Sequence, residues 1–225
     1  MVCGRSFSRT LSLLQAESHE IAQWHGYASF SGWPETISAY SLEDLYSNML
    51  GAKIVLNLIQ QYKMLSEREY NQNVSLLLNA SLQELGVVDK SQSKLVLAAV
   101  DGKWWNSHES IPNKYMVLQR NYDLGDIQKP HRLTPDLLGK ENSNLQYLAQ
   151  SPAIVLTIPA SVESLDLDNI AKLVLEVAPS YADTFNHIPK RIWSERIEHT
   201  QFPVIAKYAE LQDGQEMRAL DVAEK

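Results

Sequence analysis

The chain has 225 residues with 27 acidic and 20 basic side chains, a formal net charge of −7, and a composition that is 44% hydrophobic and 21% charged. These values are ordinary for a globular protein with a sizeable core, and the acidic balance argues against binding to nucleic acid or anionic lipid. Because Cys3 is the single cysteine of the chain, an internal disulfide is excluded.

No apolar run approaches the roughly 18 residues of a membrane span, and the first residues, MVCGRSFS, lack the apolar stretch of a secretory signal. We therefore predict no membrane span and no signal peptide in this chain. Helical periodicity begins at residue 5 or 6 and leaves little room for a preceding element. We expect the chain to be the remainder of a longer one.

The first predicted element is a helix over residues 6–26, ended by Gly26. The aromatic-rich loop over residues 27–40 is expected to pack back on this helix. Angular spacing places seven side chains in one apolar arc of the helix: Phe7, Leu11, Leu13, Leu14, Ile21, Ala22 and Trp24.

Three further helices follow in the N-terminal half. Ser41 and Asp44 form a predicted capping box that opens the second helix, which a broad apolar stripe marks as largely buried. A second box, Ser66 to Glu69, opens a third helix that stops at Gly86. Residues 89–102 read as a fourth helix, with a strand as the alternative.

The C-terminal half has fewer segments with helical periodicity. We predict strands near 114–121 and over 152–160, a helix over 165–178, and loop or short helix in the last forty residues. The prediction is a single α+β domain over 1–225, with a helical part about 5–101, a mixed part about 102–210 and a frayed tail 211–225. The N-terminal half is predominantly α-helical, and a small sheet and a further helix lie in the C-terminal half.

A zinc site of the thermolysin type is excluded by spacing. It needs two histidines four residues apart on one helix face, whereas His19 and His25 are six apart, about 120° around the axis. Gln23 stands where the second ligand would be. We predict no metal and no cofactor, although a site that joins His25 to acids of another helix stays open.

The first helix also offers acid/base chemistry. Glu17 falls within the apolar arc, Glu20 lies at its edge beside Trp24, and His25 lies near its middle, while His19 points to the polar side. A carboxylate on an apolar face must find a donor, reach water in a cleft, or keep its proton with a raised pKa. All three outcomes also describe catalytic carboxylates. The structural alternative is that Glu17 or Glu20 accepts a hydrogen bond from Arg5, from Arg9 or from the backbone of the next helix.

The head of the second helix offers a matching surface. If the first two helices pack antiparallel, the tail of the first meets the head of the second, and Glu20, Glu43 and Asp44 become candidate catalytic residues. The alternative is that acids in a first turn cap the helix. Six residues are candidate binding residues: Trp24, His25, Tyr46, Asn48, Trp104 and Trp105.

The adjacent tryptophans Trp104 and Trp105 make a carbohydrate-type platform conceivable. Neighbouring residues point in different directions, so we expect one of them in the core and the other as a lid. Glycine loops of the Walker and Rossmann types are absent, as is a G-x-S-x-G nucleophile motif, so nucleotide binding and esterase chemistry rank low.

Three segments, HEIAQWHGY, GWPETISAYSLEDLYSNMLGAKI and DGKWW, resemble the bacterial family known only as domain of unknown function 4056. The resemblance covers roughly residues 5–125, and the long middle segment is its most specific part. The family pattern has tyrosines where this chain has His19 and His25, which implies that neither histidine is required. These positions carry the resemblance: Glu20, Trp24, Gly26, Ser38, Ala39, Ser41, Glu43, Asp44, Tyr46, Ser47, Asn48, Gly102, Trp104 and Trp105.

The resemblance brings no known activity. It implies a chain shortened at its N-terminus, with full-length relatives in the periplasm or at the outer membrane. We expect a non-catalytic binding or scaffold domain of the cell envelope, whose partner is an unknown small molecule or envelope component. The alternative is a hydrolase-like enzyme that uses carboxylates in a cleft between helices 1 and 2.

Overall fold

Helices dominate the N-terminal half, as the periodicity predicts. A computed structural model describes residues 2–30, 32, 35–63, 65–158, 161–162, 165–166 and 172–223. The side chains of Phe7 and Leu11 lie outside the described part. The first four helices are α1 (Val2–Trp24), α2 (Asp44–Gln60), α3 (Glu67–Glu84) and α4 (Lys90–Ala99).

The helix ends follow local chemistry. Gly26 takes a φ of 96°, and the Tyr27 N–H donates to the carbonyl of Ala22 at 2.9 Å, so glycine ends α1 as predicted. The Ser66 hydroxyl accepts the Glu69 N–H at 3.2 Å at the start of α3. A full capping box between Asp89 and Gln92 opens α4 and confirms its helical reading.

The predicted capping box at Ser41 is wrong. The helix begins three residues later, at Asp44, and Glu43 is the N-cap residue without a side-chain capping bond. Tyr40 is the physical reason, because its positive φ of 58° places residues 41–43 in a turn before the helix. The end of the loop before it packs back on α1, with Ala39 and Tyr40 fully buried, whereas Phe30 is exposed and Trp33 lies outside the described part.

The C-terminal half contains short antiparallel strand pairs. Strand β1 (Ile127–Gln128) pairs with β2 (Leu156–Thr157), β3 (Ser161–Val162) with β4 (Leu165–Asp166), and β5 (Val174–Glu176) with β6 (Arg196–Glu198). Together with the helices, they make an α+β fold, as predicted.

Two predicted elements of this half are wrong, and a third is shorter than expected. Residues 114–116 form a 3-10 helix and leave one bridge between Trp105 and Val117, in place of a strand over 114–121. The end of the predicted helix over 165–178 forms strand β5, because its residues pair with those of β6. Residues 167–171 lie outside the described part. The strand over 152–160 is reduced to β2.

A long helix closes the chain where a frayed tail was predicted. After α5 (Pro135–Leu138), helix α6 runs over Phe202–Ala223. Its residues Phe202, Ile205, Ala206 and Ala209 are fully buried and join α1 in the main core. That core also takes aromatic side chains from the loops between the helices: Tyr40, Tyr122, Phe185 and Trp193. No helix in the described part of the chain is both long and apolar enough to pass through a membrane.

Candidate functional site

The tail of α1 meets the head of α2, as the antiparallel arrangement requires. The charges of Glu43 and Asp44 act on Glu20, near the end of α1. Further back along α1, Leu13 packs with Tyr46 and Met49 of α2. The two helices therefore run antiparallel.

Glu20 is enclosed at this junction. Glu20 is 2% exposed to solvent, and its carboxylate accepts a hydrogen bond from the backbone N–H of Tyr40 at 2.5 Å. Burial raises its pKa from 4.5 to about 7, with Asp44 and Glu43 adding to the effect, while the hydrogen bond and Arg120 oppose it. Glu20 thus has a donor and a raised pKa, but no contact with water.

Glu17 is held in the same manner one turn earlier. It is 2% exposed, and its carboxylate accepts the N–H of Gly125 at 2.6 Å. Burial raises its pKa to about 7, and the charge of Asp126 adds to the rise. Each carboxylate therefore attaches a loop from another part of the chain to α1. This is a structural role of the kind considered above, and the donor in each case is a backbone N–H of the loop.

A buried guanidinium compensates the charge at this junction. Arg120 donates to the carbonyls of Ile37, Ala39 and Lys114. Its Nε lies 4.0 Å from the carboxylate of Asp213, to which the Tyr122 hydroxyl donates at 3.0 Å. We call Glu20, Arg120, Tyr122 and Asp213 the buried polar cluster.

Most of this cluster has no signal in the sequence. Arg120 and Asp213 lie 93 positions apart in the chain, on an irregular segment and on α6. Their pairing depends on where α6 docks, which periodicity does not report. The cluster is sealed by surrounding side chains, so it stabilises the junction and is not open to a substrate.

His25 is a packed, neutral imidazole. Its ring stacks on Phe185 with centroids 3.5 Å apart, and its Nδ1 lies 3.0 Å from the Thr184 hydroxyl. Burial lowers its pKa from 6.5 to about 3, and neighbouring His187 lowers it further. Within the described residues, no group of three or more His, Cys, Asp or Glu side chains could hold a metal ion.

An open cavity of about 580 Å³ lies beside the first turns of α2. Both Trp104 and Trp105 line it, together with Tyr46 and Glu43, so four residues singled out in the sequence come together here. We call it the Trp-pair cavity. Its walls are mostly apolar and come from α2, α3 and α4: Leu50, Leu82, Leu85, Leu97 and Val100.

Backbone contacts fix the two tryptophans in a tight turn. Gly102 has a φ of 74°, and its N–H donates to the carbonyl of Trp105 at 2.7 Å. The Trp104 carbonyl accepts two N–H groups, those of Leu118 and Gln119. Because this turn has no strand alternation, both rings reach one cavity, and the prediction of one core ring and one lid was wrong.

The other predicted site residues lie elsewhere. Asn48 lines a separate cavity of about 280 Å³ on a neighbouring face of α2, and Ser47 lines both this cavity and the Trp-pair cavity. Trp24 and His25 line a third, of about 290 Å³, with Lys114 and Gln212. Glu20 and Asp44 line none of the cavities described here. A hollow shared by all three carboxylates is therefore not formed, since Glu43 alone reaches an open cavity.

Comparison with known proteins gives one match. A family profile described as "Protein of unknown function (DUF4056)" matches residues 5–134, more than half of the chain. The chain belongs to this family. Searches of curated proteins and of solved structures found no match.

The DUF4056 match distinguishes the sites. Every residue that lines the Trp-pair cavity falls between 41 and 131, inside the matched range. The buried polar cluster needs Asp213, and the cavity beside His25 needs Thr184 and Gln212, which all lie outside it. The Trp-pair cavity therefore lies wholly within the family region, as does the smaller cavity beside Asn48, whose lining residues fall between 12 and 59.

Proposed function

We propose that this DUF4056 chain is a non-catalytic binding domain that holds a small molecule with an apolar body in the Trp-pair cavity. The observation that supports this function is an open, mostly apolar cavity of about 580 Å³ that carries two tryptophans and few polar groups. Small-molecule sites usually measure roughly 300–1,000 Å³, with apolar walls and a few polar side chains that orient the ligand.

We favour binding over the hydrolase-like alternative because Glu20 and Glu43 do not line the same cavity. Hydrolysis by an acid/base pair needs two groups that reach the same substrate. Glu20 is enclosed, so its carboxylate is not available as the partner of Glu43. Within the lining of the Trp-pair cavity Glu43 has no second carboxylate beside it, so the carboxylate pair that this alternative requires is not formed there.

An uncharged fluorescent probe tests this function. We expect 1-N-phenylnaphthylamine to bind the wild type with increased emission. Leu82→Trp fills the cavity from α3 and is expected to weaken binding at least about tenfold, since a bulky ring occupies the ligand's volume. Leu76→Trp is the matched control, because Leu76 lies on the same helix, is 68% exposed and does not line the cavity.

Equal binding to wild type, Leu82→Trp and Leu76→Trp would contradict the proposal, as would no binding to folded wild type. Circular dichroism establishes that each variant is folded.

Association with the cell envelope is a second, independent part of the proposal. It depends on the family resemblance alone. Fractionation of cells that express the natural full-length product tests it: we expect the product in the periplasmic or outer-membrane fraction, and recovery in the cytoplasmic fraction would contradict it.

A further inference from the structure

The charges around the Trp-pair cavity indicate which class of ligand it takes, an inference that rests on the function proposed above. Among the described residues that line the cavity, Glu43 is the one acidic side chain, and none is lysine or arginine. An anionic ligand would therefore meet a like charge and no compensating cation, which is costly in an apolar surrounding.

The carboxylate of Glu43 is available to a ligand. Glu43 is exposed and is the N-cap residue of α2, where the helix dipole stabilises a carboxylate. No described residue forms a hydrogen bond or an ion pair with its side chain. By contrast, the enclosed Glu20 already has the N–H of Tyr40 as its donor.

The aromatic rings of the cavity are held in place by their polar atoms. The Tyr46 hydroxyl donates to the carbonyl of Ile154 at 2.8 Å, and the Trp105 indole N–H donates to the carbonyl of Leu97 at 2.9 Å. Both polar atoms are thereby occupied by backbone. Tyr46, Trp104 and Trp105 line the cavity beside the leucine wall, and aromatic rings attract organic cations.

His131 does not cancel the negative charge. It is the remaining titratable lining residue besides Glu43 and Tyr46, and partial desolvation lowers its pKa below 6.5. At pH 7.5 its ring is neutral, so the lining carries one net negative charge.

We propose that the Trp-pair cavity binds a small organic cation, such as an alkylammonium compound, whose apolar part contacts the leucine wall and whose charged nitrogen lies against the aromatic rings near Glu43. Aromatic rings with a carboxylate beside them recognise ammonium groups through cation–π attraction and Coulomb attraction together. The apolar wall adds affinity in proportion to the area that it buries.

A matched series of three compounds tests the proposal. Hexyltrimethylammonium, hexanol and hexanoate each have a chain of six carbon atoms and differ in the charge of the head group. Titration at pH 7.5, followed by tryptophan fluorescence and calorimetry, is expected to show the cation binding at least about tenfold more tightly than hexanoate, with hexanol between them.

Glu43→Gln is expected to weaken binding of the cation about fivefold and to leave hexanol within about twofold. The matched control is Glu67→Gln, an exposed acid at the start of α3 that does not line the cavity, and it should change neither affinity.

The outcomes separate the two proposals. If hexanol binds as tightly as the cation, and Leu82→Trp abolishes both, the cation preference is overturned while the binding function stands. Tightest binding of hexanoate, or no effect of Glu43→Gln on the cation, also overturns the preference. If none of the three compounds binds folded wild type and the uncharged fluorescent probe does not bind either, both proposals fail.

Discussion

At the scale of single residues, Asp213 shows how a polar group deep in the fold is supported. It is 7% exposed, accepts the Tyr122 hydroxyl, and lies within ion-pair distance of Lys114 and Arg120. Removing one member of such a cluster leaves another charge buried without compensation. The resulting loss of stability is larger than the net contribution of the ion pair to stability.

We therefore predict that Asp213→Ala lowers the free energy of unfolding by about 3 kcal/mol or more. Asp123→Ala is the control: Asp123 pairs with Lys207 at 2.9 Å in an exposed position, and its loss should cost under about 1 kcal/mol. Urea unfolding at neutral pH measures both. Equal costs for the two variants would contradict the role given to the buried polar cluster.

Glu20 gives a second prediction at this scale. Its pKa is raised to about 7 in the folded protein and is near 4.5 in the unfolded chain, so folding is penalised once the carboxylate ionises. The penalty grows as pH rises from 4.5 to above 7 and amounts to about 3 kcal/mol at most.

Glu20→Gln removes this ionisation and keeps an oxygen that can accept the Tyr40 N–H. We expect the loss of stability between pH 6 and pH 8 to be clearly smaller in Glu20→Gln than in wild type, measured by urea unfolding at both pH values. Glu67→Gln, an exposed acid at the start of α3 that does not act on Glu20, should keep the wild-type loss. An unchanged loss in Glu20→Gln would contradict the raised pKa.

At the scale of elements, glycines in helices and at helix ends have opposite roles. Gly214 lies inside α6, and a Cβ added there would meet only a side-chain nitrogen of Arg218 at 3.7 Å, an ordinary contact. Gly86 follows α3 with a φ of 72°, where a side chain is strained.

We predict that Gly214→Ala raises the free energy of unfolding by about 0.5–1 kcal/mol and that Gly86→Ala lowers it by about 1 kcal/mol. Thermal unfolding of both variants at one pH measures the difference. A destabilised Gly214→Ala would mean that α6 is not a continuous helix at this position.

The elements also show what the sequence can and cannot predict. Helices α1, α3 and α4 follow from periodicity and from local caps at Ser66 and Asp89, because both signals lie within a few residues. Strand β5 and helix α6 were missed. The first depends on ladder partners in β6, and the second on apolar burial against α1.

The candidate site was likewise predicted only in part. Tyr46, Trp104, Trp105 and Glu43 were singled out from local motifs, and the fold brings them to one cavity. The leucine wall from α3 and α4 was not predicted, because it depends on how distant helices pack. A hydrogen-bonded role for Glu20 was weighed as the structural alternative, but Arg120 was not predicted as its neighbour, because it comes from a segment remote in sequence.

At the scale of the whole molecule, buried acids and desolvated histidines set opposite pH limits. Glu17 and Glu20 have folded pKa values raised to about 7, so stability falls as pH rises from 4.5 through 7. His25 has a folded pKa lowered to about 3, and that of His187 is also lowered, so stability falls as pH drops below 6.5, where the unfolded chain takes up protons.

Between pH 4.5 and 6.5 the two effects oppose each other. We therefore predict a plateau of stability in that window, with losses at pH 8 and at pH 4, measured as the urea midpoint across the range. His25→Phe keeps a ring against Phe185 and should reduce the loss at pH 4 relative to wild type; the exposed His19→Gln should not. A steady rise of stability from pH 5 to pH 8 would contradict this balance.

The proposed ligand binds between the Trp pair and the leucine wall, away from the main core. The most direct measurement follows the indole N–H signals in a nitrogen–proton NMR spectrum during titration with 1-N-phenylnaphthylamine, each signal assigned through a Trp→Phe variant. We predict that the signals of Trp104 and Trp105 shift in a saturable manner, while those of Trp24 and Trp193, in the main core, do not. Saturable shifts of Trp24 or Trp193 with unchanged Trp104 and Trp105 would contradict the account.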